Sequence, residues 1–215
     1  MIGKKGKFIV IEGIDGCGKS TQVNNIAKYL FSKDKSNHIL ITREPTMLSS
    51  YGKKVRDLLK KQKNTQKNAA VFTRLYVNDR KFHIKKIVIP AIKEGCIVIS
   101  DRYKYSTFAY QLSQGDKLDN LIKLHKGLVV PDLVIILDIS EEESIKRISD
   151  QKDKELFEKK EFLRKVRENY LKMKELFSNE NIVIIDGERN KDEVFESIKK
   201  EIDKLFEQVI SKGKK

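Results

Sequence analysis

The sequence predicts an α/β protein, a three-layer sandwich around a five-stranded parallel sheet. Three observations carry that expectation. Five short runs rich in Ile and Val are almost continuously apolar, as strands buried on both faces must be. Longer stretches of helical periodicity separate them, so strand and helix alternate along the chain. No repeat and no linker rich in Pro, Gly or Ser breaks the alternation, and 215 residues suit one domain, 1–215, with its own core.

In chain order, "KFIVIE" (Lys7–Glu12) is the first expected strand and Lys19–Phe31 the helix after it. "HILIT" (His38–Thr42) follows, then a long helical stretch over Thr65–Lys93 and the strand "CIVIS" (Cys96–Ser100). Pro131, one of only three prolines, opens the strand "DLVIILDI" (Asp132–Ile139), where a missing N–H is tolerated. Helical patterns over Glu141–Ser149 and Lys154–Phe177 lead to "NIVIID" (Asn181–Asp186) and a last helix over Lys191–Ile210. The polar segment 149–158, "SDQKDKELFE", reads either as a short lid or as an ordinary connection between helices, and residues 211–215, "SKGKK", read as a frayed end. Right-handed crossovers bring the strand C-termini to one edge of the sheet, where ligands bind.

Composition narrows the function classes. A hydrophobic content of 39% and 8% aromatics describe a globular chain rather than a disordered one. No apolar run approaches the roughly 20 residues that span a bilayer, and the short apolar start runs directly into a glycine loop, unlike a signal peptide. A cytoplasmic protein without a membrane role is expected. Two cysteines, Cys17 and Cys96, lack CxxC spacing and give neither a disulfide framework nor a zinc site. Cys17 precedes a helix start, which lowers a thiol pKa, or it is simply a small loop residue. The net charge of +14 is spread along the whole chain. It fits solvated helix faces and a cleft for small polyanions better than a nucleic-acid platform.

"GIDGCGKS" fits G-x-x-x-x-G-K-[ST] through Gly13, Gly18, Lys19 and Ser20, with a strand before it and a helix after it. Asp15, Gly16, Cys17 and Thr21 complete the stretch. Glycines let backbone N–H groups turn inward onto phosphate oxygens, and the helix N-terminus adds partial positive charge. Lys19 bridges the β- and γ-phosphates and the Ser20 hydroxyl ligates Mg²⁺. The loop holds a nucleoside triphosphate; alone, it does not separate a kinase from a GTPase or an ATPase motor.

Three further stretches bear on the second reactant. "ITREPT" (Ile41–Thr46) places Arg43 and Glu44 at the ligand edge. On "RLYVNDR", Tyr76 and Arg80 are four apart and share a helix face, so a ring and a guanidinium can meet a planar base together. Taken singly, Tyr76 reads as core and Arg80 as a solvated surface residue. "SDRYKYSTFAYQ" sets Asp101 and Arg102 at the end of the third strand, as a functional pair or a surface ion pair, followed by hydroxyls, an aromatic and an amide. Arginines beyond the loop are more positive charge than one nucleotide requires, which points to a second phosphate subsite.

With these motifs the chain resembles the thymidylate kinases, nucleoside monophosphate kinases of the P-loop class with a short lid. The likeness covers nearly the whole chain: "EGIDGCGKST", "TREP", the aromatic-x-x-x-Arg helix face, "DRY…STFAYQ", "PDLVIILD" and "VRENYLKM". It implies ATP-dependent phosphorylation of dTMP, with Mg²⁺ as cofactor and a homodimer as the assembly. It further implies that Asp15 lies near the acceptor phosphate and sugar, and Glu44 near the deoxyribose and a metal-bound water. Arg56 and Arg102 would clamp the acceptor phosphate. Tyr76 would stack on thymine, Arg80 would donate to a thymine carbonyl, Thr107 and Gln111 would line the base edge, and Tyr110 would crowd the sugar 2′ position. Asp101 would assist the metal, Arg147 would lie against adenine, and Tyr170 would sit on the substrate side. Two stretches depart from the family pattern. "TREPTMLSSYG" lacks the usual glycines after "TREP", and with Gly16 in the loop the lid offers Lys152 and Lys154 but no arginine, leaving these or Arg147 for that task. A related kinase with another acceptor (dUMP, another monophosphate, a deoxynucleoside) or a nucleic-acid-binding P-loop ATPase are the competing readings.

Overall fold

The computed structural model describes residues 6–61, 69–148 and 155–212. All five expected strands form: β1 (Lys7–Glu12), β2 (Ile39–Arg43), β3 (Ile97–Asp101), β4 (Leu133–Asp138) and β5 (Ile182–Asp186). They pair in parallel in the order β2-β3-β1-β4-β5. Phe8, Ile9, Val10 and Ile11 of β1 have no exposed surface, which is why both side-chain parities of that strand are apolar. Each such side chain contributes about 1.5–3 kcal/mol by leaving water, so a charge at Val10 would unfold the chain.

Helices pack on both faces: α1 (Lys19–Lys33), α2 (Ser50–Lys61), α3 (Ala69–His83), α4 (Ile89–Lys93), α5 (Lys104–Ser113), α6 (Leu118–His125), α7 (Glu141–Ile148), α8 (Glu155–Leu171), α9 (Met173–Leu176) and α10 (Lys191–Lys212). In α1, Val23, Ile26 and Leu30 are buried, and in α10 Val194, Ile198, Ile202 and Leu205, the spacing of one helical stripe. The expected helix over Thr65–Lys93 is helical through its described part, but a π turn, Ile84–Val88, separates α3 from α4. Pro90 supplies the reason. It has no N–H for the carbonyl one turn back and its ring crowds that carbonyl, so the helix widens just upstream. The pattern over Lys154–Phe177 resolves into α8 and the short α9.

Three helices were not expected from periodicity: α2, α5 and α6. Of the expected lid, residues 149–154, with Lys152 and Lys154, lie outside the described residues, while the backbone of 155–158 opens α8. Residues 211 and 212, expected in the frayed end, close α10, and 213–215 lie outside the description. Among the described residues no helix is long and apolar enough to cross a membrane.

The sheet order has one consequence for function. β1 lies between β3 and β4, so the chain leaves β1 at the point where the connections diverge to opposite sides. The loop after β1 therefore opens into the crevice at the carboxyl edge, flanked by Asp101 at the end of β3 and Arg43 at the end of β2.

Candidate active site

The loop after β1 is shaped by its backbone. Gly13 has φ +137°, and a Cβ there would meet the Leu137 carbonyl oxygen at 2.5 Å. Gly18, with φ 94°, is the residue that starts α1. The Lys19 ammonium is tucked inside, donating to the carbonyls of Ile14 (2.9 Å) and Gly13 (3.2 Å). Ser20 Oγ donates to Asp101 Oδ2 at 3.0 Å, which joins the helix start to the end of β3. Ser144 of α7 donates to the Asp15 carbonyl (2.7 Å) and pins the outer side of the loop. Arg147, one turn on, donates to Gly187 (3.2 Å) and Gly16 (3.4 Å) and pairs with Glu143. A cavity of about 380 Å³ opens here, lined by Gly16, Gly18, Lys19, Ser20, Thr21 and Arg147, with Asp101 on its far side.

A second cavity, of about 350 Å³, lies beside it. The two share one wall: Asp15, Arg43, Glu44 and Arg102 face both. Arg102 is the central piece. Its backbone is left-handed (φ 75°), rare for a residue with a side chain. Nη2 donates to Asp15 Oδ1 at 2.5 Å, and Nη1 to Ser106 Oγ (2.9 Å), Gly13 O (3.2 Å) and Tyr170 Oη (3.3 Å). The cleft walls partly desolvate Asp15, whose side chain stays 60% exposed, and this would raise its carboxyl pKa. The nearby charges of Arg102 and Lys19 outweigh that and hold it below the usual carboxylate range.

The rest of the second cavity comes from α2, α3 and α5. Arg56 donates Nη2 to Pro45 O (2.9 Å), while its Nε is buried with no hydrogen-bond partner. Tyr76 packs against Phe72 with its ring on the cavity. Thr73 Oγ1 donates to Gln111 Oε1 (2.7 Å), which leaves the Gln111 amide N–H groups for the cavity. Arg80 is 1% exposed and held on three sides. Nε donates to Glu44 Oε2 (2.7 Å), Nη1 lies 2.7 Å from His125 Nε2, and Nη2 donates to the Tyr103 carbonyl (3.0 Å). The other Glu44 oxygen meets His83 Nδ1 at 2.9 Å.

The structure brings together nearly every residue singled out from sequence. Asp15, Glu44, Arg56, Tyr76, Arg80, Arg102, Thr107, Tyr110 and Gln111 all line the second cavity. Arg80 is a buried cavity residue and not a solvated one, and Tyr76 serves core and cavity at once. Asp101 and Arg102 do not pair with each other; they turn to Ser20 and Asp15 respectively. Both Glu44 oxygens are engaged by Arg80 and His83, so its first task is to hold the arginine and only its edge meets the cavities. Tyr170 is buried behind the wall, where its hydroxyl donates to Glu12 Oε2 (3.0 Å). The Cys17 thiol is not activated: burial pushes its pKa up.

The loop after "TREP" is held by a device that the sequence reading missed. Asp79 of α3, 1% exposed, accepts from the Thr46 backbone N–H (2.7 Å), Thr46 Oγ1 (2.9 Å) and Ser49 Oγ. Side-chain hydroxyls thus do what turn glycines would do elsewhere. Glu12, His83 and His125 were missed too. Glu12 is fully buried and accepts from Tyr103 N (2.7 Å), Ser106 N (3.2 Å), Ser106 Oγ (2.6 Å) and Tyr170 Oη, so it orders the start of α5. The available signal was a carboxylate closing an otherwise apolar strand, which needs a partner set when buried.

Comparison with known proteins agrees with this geometry. The family model described as thymidylate kinase matches residues 11–198. A probable thymidylate kinase of Thermococcus gammatolerans is 40% identical over 215 residues, covering 97% of this chain and 99% of that protein. A thymidylate kinase of Prochlorococcus marinus (strain NATL2A) is 41% identical over 213 residues, covering 94% and 98%. The crystal structure of thymidylate kinase from Ehrlichia chaffeensis superposes with a TM-score of 0.73 at 26% identity, over 92% of this chain and 98% of that one. A P-loop cavity and an arginine-rich base-sized cavity on one shared wall, with these relatives along the whole length, make the chain a member of the thymidylate kinase family.

Proposed function

We propose that this chain transfers the γ-phosphoryl group of ATP to dTMP, giving dTDP and ADP. The observation that carries the reading is the shared wall. A phosphate-binding loop and a second cavity meet at Asp15, Arg43, Glu44 and Arg102, so two nucleotides seated there would face each other phosphate to phosphate. ATP takes the loop side, with Lys19 on its phosphates and Arg147 toward its base. dTMP takes the other, with its phosphate between Arg102 and Arg56. Thymine lies on Tyr76, with its carbonyl edge toward Arg80, Thr107 and Gln111, and Tyr110 closes on the sugar. The acceptor oxygen is already ionised, so in-line attack needs no general base. Alignment, charge neutralisation and water exclusion supply the rate.

Ser20 Oγ and Asp101 are hard oxygen donors at the mouth of the loop and suit Mg²⁺, which keeps most of its coordination for water and phosphates. Among the described residues no group of three or more His, Cys, Asp or Glu is placed to hold a metal, which fits an ion held jointly with the nucleotide. When bound, the ion neutralises charge on the phosphates. A homodimer in the cytoplasm completes the proposal. Exposed apolar side chains support the dimer: Ile41 on the edge strand β2 and Leu48 just after it. Light scattering at about twice the 25.0 kDa chain mass is the expected result.

The test is ADP release from MgATP with dTMP, dUMP, dGMP, UMP, thymidine or single-stranded DNA as second reactant. Clear preference for dTMP is expected. Preference for another acceptor, or ADP release only with DNA, would overturn the acceptor assignment and leave the ATP half standing.

A further inference from the structure

Arg80 carries five N–H bonds in a planar fork. Three are taken by groups from three different parts of the chain: Glu44 after β2, the Tyr103 carbonyl after β3, and His125 at the end of α6. One hydrogen is left on each terminal nitrogen, and their directions follow once the fork is fixed.

The His125 contact has only one workable proton arrangement. Nδ1 lies 2.7 Å from the Leu121 carbonyl oxygen, which can only accept, so Nδ1 carries the hydrogen. Nε2 lies 2.7 Å from Arg80 Nη1, which can only donate, so Nε2 is the bare acceptor. The ring is thus a neutral imidazole in its Nδ1–H form. Burial and the Arg80 charge drive its pKa down to about 3, so it holds that form across the working range. It is 6% exposed and packs against Phe108, with ring centroids 5.0 Å apart. His125 does not line either cavity.

We propose that His125 is a positioning residue for base selection: as a neutral acceptor behind Arg80, it commits one Nη1 hydrogen away from the cavity and turns the remaining N–H groups toward a carbonyl on the acceptor base. The inference rests on the proposed dTMP reading. Its chemical content is a choice between a keto edge and an amino edge. A fork fixed to present donors accepts the 4-keto group of thymine or uracil and leaves the 4-amino group of cytosine facing donors of its own kind. Glu44 on Nε and the Tyr103 carbonyl on Nη2 hold the other two corners of the fork and leave the Nη1 corner to His125. Without an acceptor on Nη1, the fork can tilt about those two corners or offer that hydrogen elsewhere, and the discrimination falls.

The test compares wild type, His125→Phe and His125→Gln. Phe keeps the packing on Phe108 and removes the acceptor; Gln restores an acceptor. kcat and KM are measured for dTMP and dCMP, and KM for ATP. The expected result for His125→Phe is a loss of about tenfold or more in the dTMP-over-dCMP ratio of kcat/KM, carried mostly by KM for dTMP. KM for ATP stays put, and His125→Gln recovers most of the ratio. A folded His125→Phe with the wild-type ratio sinks this inference and leaves the dTMP assignment intact. A wild-type enzyme that does not prefer dTMP over dCMP sinks both. If neither variant folds, ¹⁵N NMR of the wild-type histidines decides. An Nδ1–H, bare-Nε2 ring at neutral pH supports the proposal, and an Nε2–H or doubly protonated ring overturns it.

Discussion

The two cavities are built on opposite principles. The loop side is made by consecutive residues and mostly by backbone: Gly13, Gly18 and the start of α1, within one short stretch. The other side is made by side chains from α2, α3, α5 and the loops after β2 and β3, behind which stand buried Asp79, His83 and His125. The first site needs local conformation; the second needs the whole fold. A phosphate is the same in every nucleotide, so backbone dipoles suffice for it. A base must be told from its analogues, which takes directed donors held by a rigid support.

That contrast can be broken most forcefully at Lys19. Lys19→Ala should lower kcat with dTMP about a thousandfold while the melting temperature barely moves, because the lysine serves charge stabilisation more than folding. Steady-state kinetics with parallel thermal melts would check it, and a loss of less than tenfold would mean that another cation carries the transferring phosphate. The shared wall comes next. Arg102→Lys should cost about a hundredfold in kcat/KM for dTMP, since a point charge cannot hold Asp15, Ser106 and a phosphate at once. If only KM for ATP rises, the wall belongs to the donor side. Arg80→Ala sharpens the comparison from the base side: about thirtyfold in kcat/KM for dTMP, with KM for ATP unchanged.

The last effect is on stability and shows only as pH falls. His125 is buried neutral beside Arg80, with Lys104 and Lys81 adding positive charge nearby, and its pKa in the fold, about 3, lies below the ordinary histidine value. The unfolded chain therefore binds a proton first as pH falls. The stability that His125 contributes is complete above about pH 6.5 and is lost as pH drops toward 3, at up to about 1.4 kcal/mol per pH unit. Melting curves between pH 7 and pH 5 should fall more steeply for wild type than for His125→Phe; parallel curves would count against a neutral buried ring.

The same contrast explains what the sequence made legible. The five strands could be read because a buried parallel strand has a signature of its own, and all five formed within a residue or two of expectation. The loop could be read because its spacing is its geometry. α5 escaped because it mixes polar and aromatic residues to line a cavity, which blurs an amphipathic stripe. α2 and α6 are amphipathic but short, at 12 and 8 residues. Tyr76 and Arg80 could be read from their four-residue spacing on one helix face and Gln111 from the stretch after β3, while their roles came from the family resemblance. Their supports, Thr73, His83 and His125, had no motif, because each is defined by a partner far along the chain. Asp79 is the sharpest case: one residue before Arg80, it organises Thr46 and Ser49, 33 and 30 positions upstream, and nothing local announces it.

The left-handed backbone at Arg102 sets stability against activity at a single position. A side chain held at φ 75° costs about 1 kcal/mol or more, which a glycine would not incur. Arg102→Gly relaxes the chain at the very place where it removes the clamp between the two cavities, so a thermal melt would understate the damage to catalysis. A screen for thermostable variants would tolerate that glycine, and only a selection for turnover would hold the arginine in place.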